Sequence, residues 1–297
     1  KIIKLRKFFK TFNLDGYIIP KNNNFFGEYV PDSEDNLKYI SNFTGSAGFA
    51  VILKDKNYMF VDGRYTIQAG LQCGKHFQIC NIPKEYPFNI FKKRNLKLGF
   101  DPKLHTENSL NKIFKNTSIK LLPIDKNLID LQWKRERNRS IKYFYLVKDK
   151  DAGLKVDQKL AKLVKQIQFN KVDYLFTTAS ENVAWLLNIR GQDTNYSPLP
   201  NSHAVINKDG KVLLFCNIRK IKKKFKDSIN KNVKIYDFKL LPTFFLSISK
   251  KNILIDTLTC SIFYKNIIKK NNVIIERQDP TYYLKSLKNK IEIKNSI

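Results

Sequence analysis

Two apolar hairpins of similar design, one in each half of the chain, constrain the fold more than any other feature. In the first hairpin, Phe49 to Leu53 and Tyr58 to Val61 flank the turn residues Asp55 to Asn57. In the second, Ala204 to Ile206 and Lys211 to Phe215 flank a turn that contains an Asp-Gly pair. Runs rich in β-branched and aromatic residues around such turns are typical of antiparallel strands. A similar sheet is therefore expected in each half.

The order of elements around the hairpins is also repeated. An amphipathic helix from Ile2 to Phe12 and a buried strand from Tyr17 to Pro20 precede the first hairpin. A helix from Asp157 to Phe169 and a strand from Tyr174 to Thr178 precede the second. The repetition predicts the α/β class, with two domains built to one plan, each a mixed β-sheet flanked by helices. A length of 297 residues agrees with two domains.

A charged segment marks the predicted boundary between the halves. A short helix within Leu128 to Trp133 runs into the segment Lys134 to Arg139, which is typical of a linker. We expect a first domain over residues 1–139 and a second over residues 140–284. Within the second, a helix is predicted from Glu181 to Arg190, ended by Gly191.

The chain is strongly basic, with 55 Lys and Arg against 26 Asp and Glu and a formal net charge of +29. Such a charge is compatible with binding to nucleic acid. The excess is mostly Lys, spread along the chain and accompanied by many Asn, Ile, Phe and Tyr, which share A/T-rich codons. We therefore favour a compositional origin, and interpret the one dense run, Arg219 to Lys226, as a solvated helix face.

The four cysteines and the hydropathy pattern bear on location. No Cys-x-x-Cys pair occurs, so a zinc site is not expected. No signal peptide and no stretch approaching ~20 apolar residues is found, so no membrane segment is predicted. These features predict a reduced, cytoplasmic setting. Because the sequence begins with Lys, the chain is expected to be part of a longer product.

Signatures of catalysis are missing from the sequence. His76, His105 and His203 lie in unrelated contexts without a surrounding cluster of carboxylates. A dinuclear hydrolase needs such a cluster to hold two cations and activate a water molecule. No Gly-x-Ser-x-Gly motif, phosphate-binding loop or dinucleotide fingerprint occurs. We therefore predict no catalytic residue, no metal ligand and no cofactor within this chain.

The chain resembles the N-terminal half of the Xaa-Pro aminopeptidases (aminopeptidase P), of the creatinase/aminopeptidase P superfamily. Each matching motif is short, and together their order and spacing cover nearly the whole chain. The matching stretches are residues 15–20 (Asp-Gly-Tyr-Ile-Ile-Pro), 28–29, 43–48 (Phe-Thr-Gly-Ser-Ala-Gly), 62–65 (Asp-Gly-Arg-Tyr) with 68–69, 99–102, 127–133, 184–193 (Ala-Trp-Leu-Leu-Asn-Ile-Arg-Gly-Gln-Asp), 196–198 and 202–206.

The resemblance implies two creatinase N-terminal-like α/β domains of the longer, three-domain type. It also implies a third domain of "pita-bread" fold, in which two Asp, one His and two Glu hold two divalent metals, usually manganese. That domain is expected to lie beyond Ile297, with residues 285–297 beginning the connecting segment. Surfaces that would meet it are expected to expose an apolar patch near Trp185 to Pro200.

Five residues are low-ranking candidates for facing the substrate. Asp62 and Arg64 either face the peptide near its entry or form an ion pair that stabilises the turn between hairpin and helix. Arg190 and Asp193 flank a loop that, by the resemblance, faces the metal domain; the alternative is a helix-capping loop. His203 stands where family members often carry an aromatic residue, and an acid–base or ligand role is the minority interpretation.

The primary hypothesis is the non-catalytic N-terminal part of a Xaa-Pro aminopeptidase, inactive by itself. The parent would hydrolyse the bond between an N-terminal residue and proline through a metal-bound water and a carboxylate base. Its partners would be proline-containing peptides, once the catalytic domain is supplied, and a second copy in a homodimer. The alternatives are a stand-alone peptide-binding module and a weak, non-specific nucleic-acid binder.

Overall fold

The computed structural model describes residues 1–92, 94–135 and 141–297. They form two compact units, Lys1–Asn138 and Arg139–Ile297. Residues 136–139 of the predicted charged linker lie outside the described residues. Each unit has its own sheet and its own apolar core.

The first unit is a mixed six-stranded sheet with helices against it. Its strands are β1 (Gly16–Pro20), β2 (Phe49–Leu53), β3 (Asn57–Asp62), β4 (Gln78–Ile82), β5 (Lys97–Phe100) and β6 (Lys120–Pro123). Its helices are α1 (Ile2–Thr11), α2 (Asn36–Ser41), α3 (Thr66–Cys73), α4 (Pro87–Ile90) and α5 (Glu107–Ile113). The strand order is β4-β3-β2-β1-β5-β6, and β1, β2 and β3 are antiparallel to their neighbours within this trio.

The second unit contains more elements around a second six-stranded sheet. Its strands are β7 (Tyr145–Leu146), β8 (Tyr174–Thr177), β9 (Ile189–Arg190), β10 (Ser202–Asn207), β11 (Val212–Cys216), β12 (Val233–Asp237), β13 (Asn252–Ile255) and β14 (Val273–Glu276). Its helices are α6 (Asp149–Ala152), α7 (Val156–Phe169), α8 (Ser180–Leu186), α9 (Lys223–Ser228), α10 (Leu241–Ser247), α11 (Ile262–Asn271), α12 (Pro280–Ser286) and α13 (Lys290–Lys294).

The two sheets share one topology. The order in the second unit is β12-β11-β10-β8-β13-β14, which matches the first unit strand for strand. Both predicted hairpins are confirmed, as the antiparallel pairs β2–β3 and β10–β11. The central strands β1 and β2 are buried along their whole length, and β8 is buried except at Tyr174, because helices cover the faces of each sheet. The prediction of two mixed α/β domains built to one plan is therefore confirmed.

Local packing explains the ends of the first hairpin. Gly48 precedes β2 with a φ of +152°, and a Cβ atom there would lie 2.9 Å from the carbonyl oxygen of Phe60. Only glycine fits this close approach of two backbones. At the turn between the strands, the amide of Leu53 donates to the carbonyl oxygen of Lys56 over 2.7 Å.

One helix prediction was wrong at its C-terminal end, and another was wrong throughout. The predicted helix 181–190 ends at Leu186, and Ile189–Arg190 instead forms the strand β9 paired with β7. Asn188 between them has a φ of +51°, which reverses the chain. Leu128 to Trp133 forms a turn rather than a helix, because the Asn127 side chain binds the amide of Ile129 and closes a tight turn.

Candidate functional site

Asp62 and Arg64 lie at the end of β3, in the first unit. The Arg64 guanidinium donates to both carboxylate oxygens of Asp62, over 3.0 and 2.8 Å, and holds the pKa of that carboxyl below its usual value. The Arg64 amide also donates to Asp62 Oδ1, over 3.0 Å. The pair therefore stabilises the turn into α3. The exposed Arg64 guanidinium still reaches solvent, so a contact with a peptide stays a prediction.

Arg190 ends β9 and folds back on α8. Its guanidinium donates to the carbonyl oxygens of Ala184, over 3.1 Å, and Ile189, over 2.9 Å. Burial lowers the pKa of this side chain. Carbonyl oxygens near the end of a helix lack helical partners, so Arg190 satisfies one of them.

Asp193 and Arg190 bind different partners. The Asp193 carboxylate, with a side chain 1% exposed, forms an ion pair with Lys220 and accepts a 2.7 Å hydrogen bond from the amide of Asn201. The amide of Gly191 donates to the carbonyl oxygen of Pro198, over 3.1 Å, which closes the loop. Arg190 and Asp193 therefore stabilise the two sides of loop 191–200. Their contact with a substrate stays a prediction.

Loop 191–200 presents one aromatic side chain to solvent. Tyr196 is 89% exposed and lies at the tip, with a φ of +64°. Trp185, by contrast, is 8% exposed, because the C-terminal helix α13 covers it. Within residues 185–200, Tyr196 is the exposed large apolar residue, and Tyr145, paired with Arg190 in the neighbouring strand β7, is 45% exposed. The apolar patch near this stretch stays a prediction.

His203 lies in β10 within an aromatic cluster. Its ring contacts Phe176 and Tyr264 edge to face, with centroids 5.7 and 5.6 Å apart, and it is 1% exposed. Burial lowers the pKa of His203 to about 4, so the ring is neutral near pH 7. The packing is that of a core residue.

Sequence reasoning missed a buried cation on α7. The ammonium of Lys159 donates to the carbonyl oxygen of Trp185 and to Oδ1 of Asn188, each over 2.7 Å, and lies 4.3 Å from the centroid of the Trp185 ring. Lys159 is 1% exposed, and burial lowers its pKa to about 8. The sequence feature that could have revealed its burial is its position on the apolar stripe of α7, beside Leu160 and Leu163.

The five predicted residues do not converge on one acid–base centre. Asp62 and Arg64 belong to the first unit, and Arg190, Asp193 and His203 belong to the second. Across residues 1–92, 94–135 and 141–297, no group of three or more His, Cys, Asp or Glu side chains could hold a metal ion. These residues therefore do not fit a dinuclear metal site, and no metal-dependent step is assigned to them.

The helices of the described ranges are all too short or too polar to cross a membrane. The four cysteines are buried and unpaired with one another. The dense basic run, residues 219–226, lies partly on α9, and its Lys220 is committed to the ion pair with Asp193.

Comparison with known proteins places both units in one group. A family model described as the Creatinase/Prolidase N-terminal domain matches residues 1–131, and a second model with the same description matches residues 135–292. The chain is 32% identical over 245 residues to a probable Xaa-Pro aminopeptidase P of Coprinopsis cinerea, covering 79% of this chain and 39% of the relative.

Two further similarities extend over nearly the whole chain. Xaa-Pro aminopeptidase 1 of Dictyostelium discoideum is 28% identical over 313 residues, covering 99% of this chain and 49% of the relative. The crystal structure of X-prolyl aminopeptidase from Caenorhabditis elegans superposes with a TM-score of 0.85 at 24% identity, covering 99% of this chain and 52% of that one. The chain thus spans about half the length, or less, of these relatives.

Proposed function

Because this chain belongs to the creatinase/prolidase N-terminal domain family, we propose that it is the non-catalytic N-terminal part of a Xaa-Pro aminopeptidase. The observation that carries the proposal is the tandem of two such domains, matched over residues 1–131 and 135–292. It corresponds to the N-terminal region of aminopeptidase P relatives. The parent activity would be metal-dependent hydrolysis of an N-terminal Xaa-Pro bond.

In this proposal the two units shape the substrate cleft, and the chemistry is supplied from elsewhere. The absence of a metal-ligating cluster from the described parts of the chain is compatible with this division of labour. Two divalent ions would need several carboxylates and an imidazole to hold them and to activate water. The chain alone is therefore expected to be inactive.

The test is an assay of the purified 297-residue chain with Mn²⁺ and the peptide Ala-Pro-Ala. We expect no cleavage and no stoichiometric manganese by elemental analysis. Two bound manganese ions together with cleavage would overturn the proposal. A hybrid of the Dictyostelium relative, with this chain in place of its matching half, is expected to cleave the peptide; a folded, metal-loaded but inactive hybrid would count against the assignment.

A peptide-binding module is the second candidate, and the exposed tip of loop 191–200 favours it. Tyr196 is 89% exposed on a loop that hydrogen bonds hold in shape. Exposed aromatic side chains on rigid loops are common contacts for peptides. Calorimetry should show saturable binding of a proline-containing peptide without turnover, and Tyr196→Ala should weaken it. A flat titration would exclude this candidate.

We also propose a cytoplasmic location and a homodimer. The location is supported by the cytosolic C. elegans enzyme of similar fold and by four buried cysteines without disulfides. For the dimer, light scattering coupled to size exclusion is expected to give twice the mass of one chain. A monomer at micromolar concentration would refute it.

A further inference from the structure

Loops that follow three parallel strands of the first unit surround a cavity of about 460 Å³. The strands β1, β5 and β6 are parallel neighbours in the sheet. The chain leaves β1 towards β2 on one side and leaves β5 towards β6 on the other, so the strand order reverses between β1 and β5. Open α/β sheets bind ligands at such a crevice, and this volume is within the usual range of small-molecule sites.

The second unit has the same polar network at the equivalent place. Asp101 follows β5 and Asp256 follows β13, and each accepts a 2.9 Å hydrogen bond from the amide two residues later. The other oxygen of Asp101 accepts from the Asn127 side chain, over 2.9 Å, and that of Asp256 accepts from the amide of Asp279, over 3.0 Å. The two crevices are therefore built to one design.

The crevices differ in what occupies them. In the second unit, α8 begins three residues after β8 ends, and the fully buried Asn182 of α8 donates to Asp279, over 3.2 Å. In the first unit, the segment 21–35 separates β1 from the equivalent helix α2. This longer segment lines the cavity instead of filling it, so the open crevice is a feature of the first unit's sequence.

The cavity wall carries charges of both signs that are held in place. The amide of Asn23, 4% exposed, donates to the carboxylate of Glu34 over 2.9 Å. Asp101 is 6% exposed and fixed by its two hydrogen bonds. Four carboxylates line the cavity (Glu34, Asp101, Asp125 and Asp130) against three cationic side chains (Lys103, Lys126 and Arg135), although the chain as a whole carries a net charge of +29. This excess of carboxylates on the wall, with Asp101 buried, favours a positive group in the cavity.

The three cationic side chains of the wall differ in their contacts. Arg135 is committed to Asp130, to the carbonyl oxygen of Ser33 and to Asn36. Lys126 lines the cavity and is an exposed residue, whereas Lys103 also lines it and acts electrostatically on Asp101. A ligand that is neutral overall but carries a positive and a negative end matches such a wall better than a simple cation. Apolar contacts are available from Phe25, Leu104 and Leu131 on the same wall.

We propose that this cavity binds a zwitterionic amino acid or dipeptide, with its ammonium group at Glu34 and Asp101 and its carboxylate at Lys126. The backbone amide of a dipeptide would meet the side-chain amides of Asn24 and Asn36, which also line the cavity. The site lies wholly in the first unit, so this inference does not depend on the proposed function.

The first test is calorimetry of the full chain with three related probes. The dipeptide Ala-Ala carries both charges, its N-acetyl derivative lacks the ammonium group, and its C-terminal amide lacks the carboxylate. We expect one Ala-Ala per chain and at least tenfold weaker binding of each derivative, because each loses a charged hydrogen bond. Absence of saturable heat, equal binding of all three probes, or binding of Ca²⁺ in place of the dipeptide would overturn the proposal.

Substitutions in the cavity wall test whether Ala-Ala binds in this cavity. Glu34→Gln and Lys126→Gln are each expected to weaken Ala-Ala binding about tenfold, which corresponds to about 1.4 kcal/mol. Leu131→Trp, at a partly exposed position, should fill the cavity and abolish binding. Asp32→Asn is the matched control, since this carboxylate lies in the same loop, is 81% exposed and pairs with Lys38; it should bind within twofold of the parent. Unchanged binding in Glu34→Gln and Leu131→Trp would refute the site.

Discussion

The indole Nε1 of Trp185 donates a 2.9 Å hydrogen bond to a carboxylate oxygen of Glu292. The second oxygen of Glu292 accepts from the backbone amide of Asn289 and completes a capping box at the start of α13. One carboxylate therefore attaches the C-terminal helix to α8 and also stabilises the helix itself.

Replacement of this carboxylate should weaken the second unit. Glu292→Ala leaves the half-buried indole N–H without a partner and removes the capping box, so the free energy of unfolding should fall by about 1–2 kcal/mol. Urea unfolding followed by circular dichroism measures the change. Lys294→Gln, on the exposed side of the same helix, is the control and should be neutral. Equal stability of both variants would mean that α13 is not held by Glu292.

Gly153 provides a second test of how α13 is held. Its φ is +73°, and a Cβ atom there would lie 2.1 Å from Oδ1 of Asn289, whose amide donates to the carbonyl oxygen of Ala152 over 2.9 Å. Gly153→Ala is therefore expected to cost about 1–3 kcal/mol through backbone strain and displacement of Asn289.

The matched substitution is Gly70→Ala, inside α3, where no atom lies within 4 Å of the added Cβ. It should stabilise the chain by about 0.5–1 kcal/mol, because alanine favours a helix more than glycine does. The midpoints of thermal unfolding of the two variants should therefore shift in opposite directions, and a shift in the same direction would contradict the structure.

Lys159 should make stability rise with pH in the alkaline range. Its folded pKa is about 8, below the value of roughly 10.4 in an unfolded chain. Between these values the unfolded state binds more protons, so the free energy of unfolding increases with pH, by about 3 kcal/mol in total. Glu292, Arg190 and Asp149 are the charged groups that act on this ammonium.

The measurement is the free energy of unfolding at intervals from pH 8 to 10.5, for the parent and for Lys159→Met. The variant should lack the rise, and the difference between the two curves removes the contributions of tyrosines and cysteines. Lys162→Met, at an exposed position of α7, should reproduce the parent's curve. If the free energy of unfolding of the parent and of Lys159→Met changed with pH in the same way, the Lys159 ammonium would not be buried.

Because His203 is buried, the free energy of unfolding is expected to fall in acid. The folded pKa of His203, about 4, lies below the unfolded value of about 6.5, so between these values the unfolded state takes up a proton that the folded state excludes. Stability should therefore fall as the pH drops from 6.5 to 4, by about 3 kcal/mol. His203→Phe, which keeps the aromatic packing, should lessen this fall. Identical acid profiles would argue for a solvated imidazole with a role at a site.

The architecture could be predicted from the sequence because the same order of elements occurs in both halves of the chain. The two hairpins, each preceded by an amphipathic helix and a strand, are local patterns, because turn residues and apolar spacing lie within short windows. The motif stretches around 43–48, 62–65 and 184–193 then pointed to the family that the two domain matches support. A local signal of the same kind is the Thr106 side chain, which caps α5 by accepting a 3.1 Å hydrogen bond from the amide of Ser109.

The candidate site was harder to predict from the sequence, because its geometry depends on contacts between residues that are distant in the chain. Arg190 and Asp193 are close in the chain, yet one binds the end of α8 and the other binds Lys220. The end of α8 at Leu186 depends on the pairing of β9 with β7, which local propensity does not encode.

The sequence by itself determined two mixed α/β domains of one design, because strand and helix periodicities are properties of neighbouring residues. Only the tertiary structure decided that Lys159 is a buried cation, that α13 covers Trp185, and that the loops after β1, β5 and β6 leave a cavity between them. The physical reason is that burial and cavity shape arise from segments that meet across the fold, such as segment 21–35 with Asp101, and no short window of sequence contains both partners.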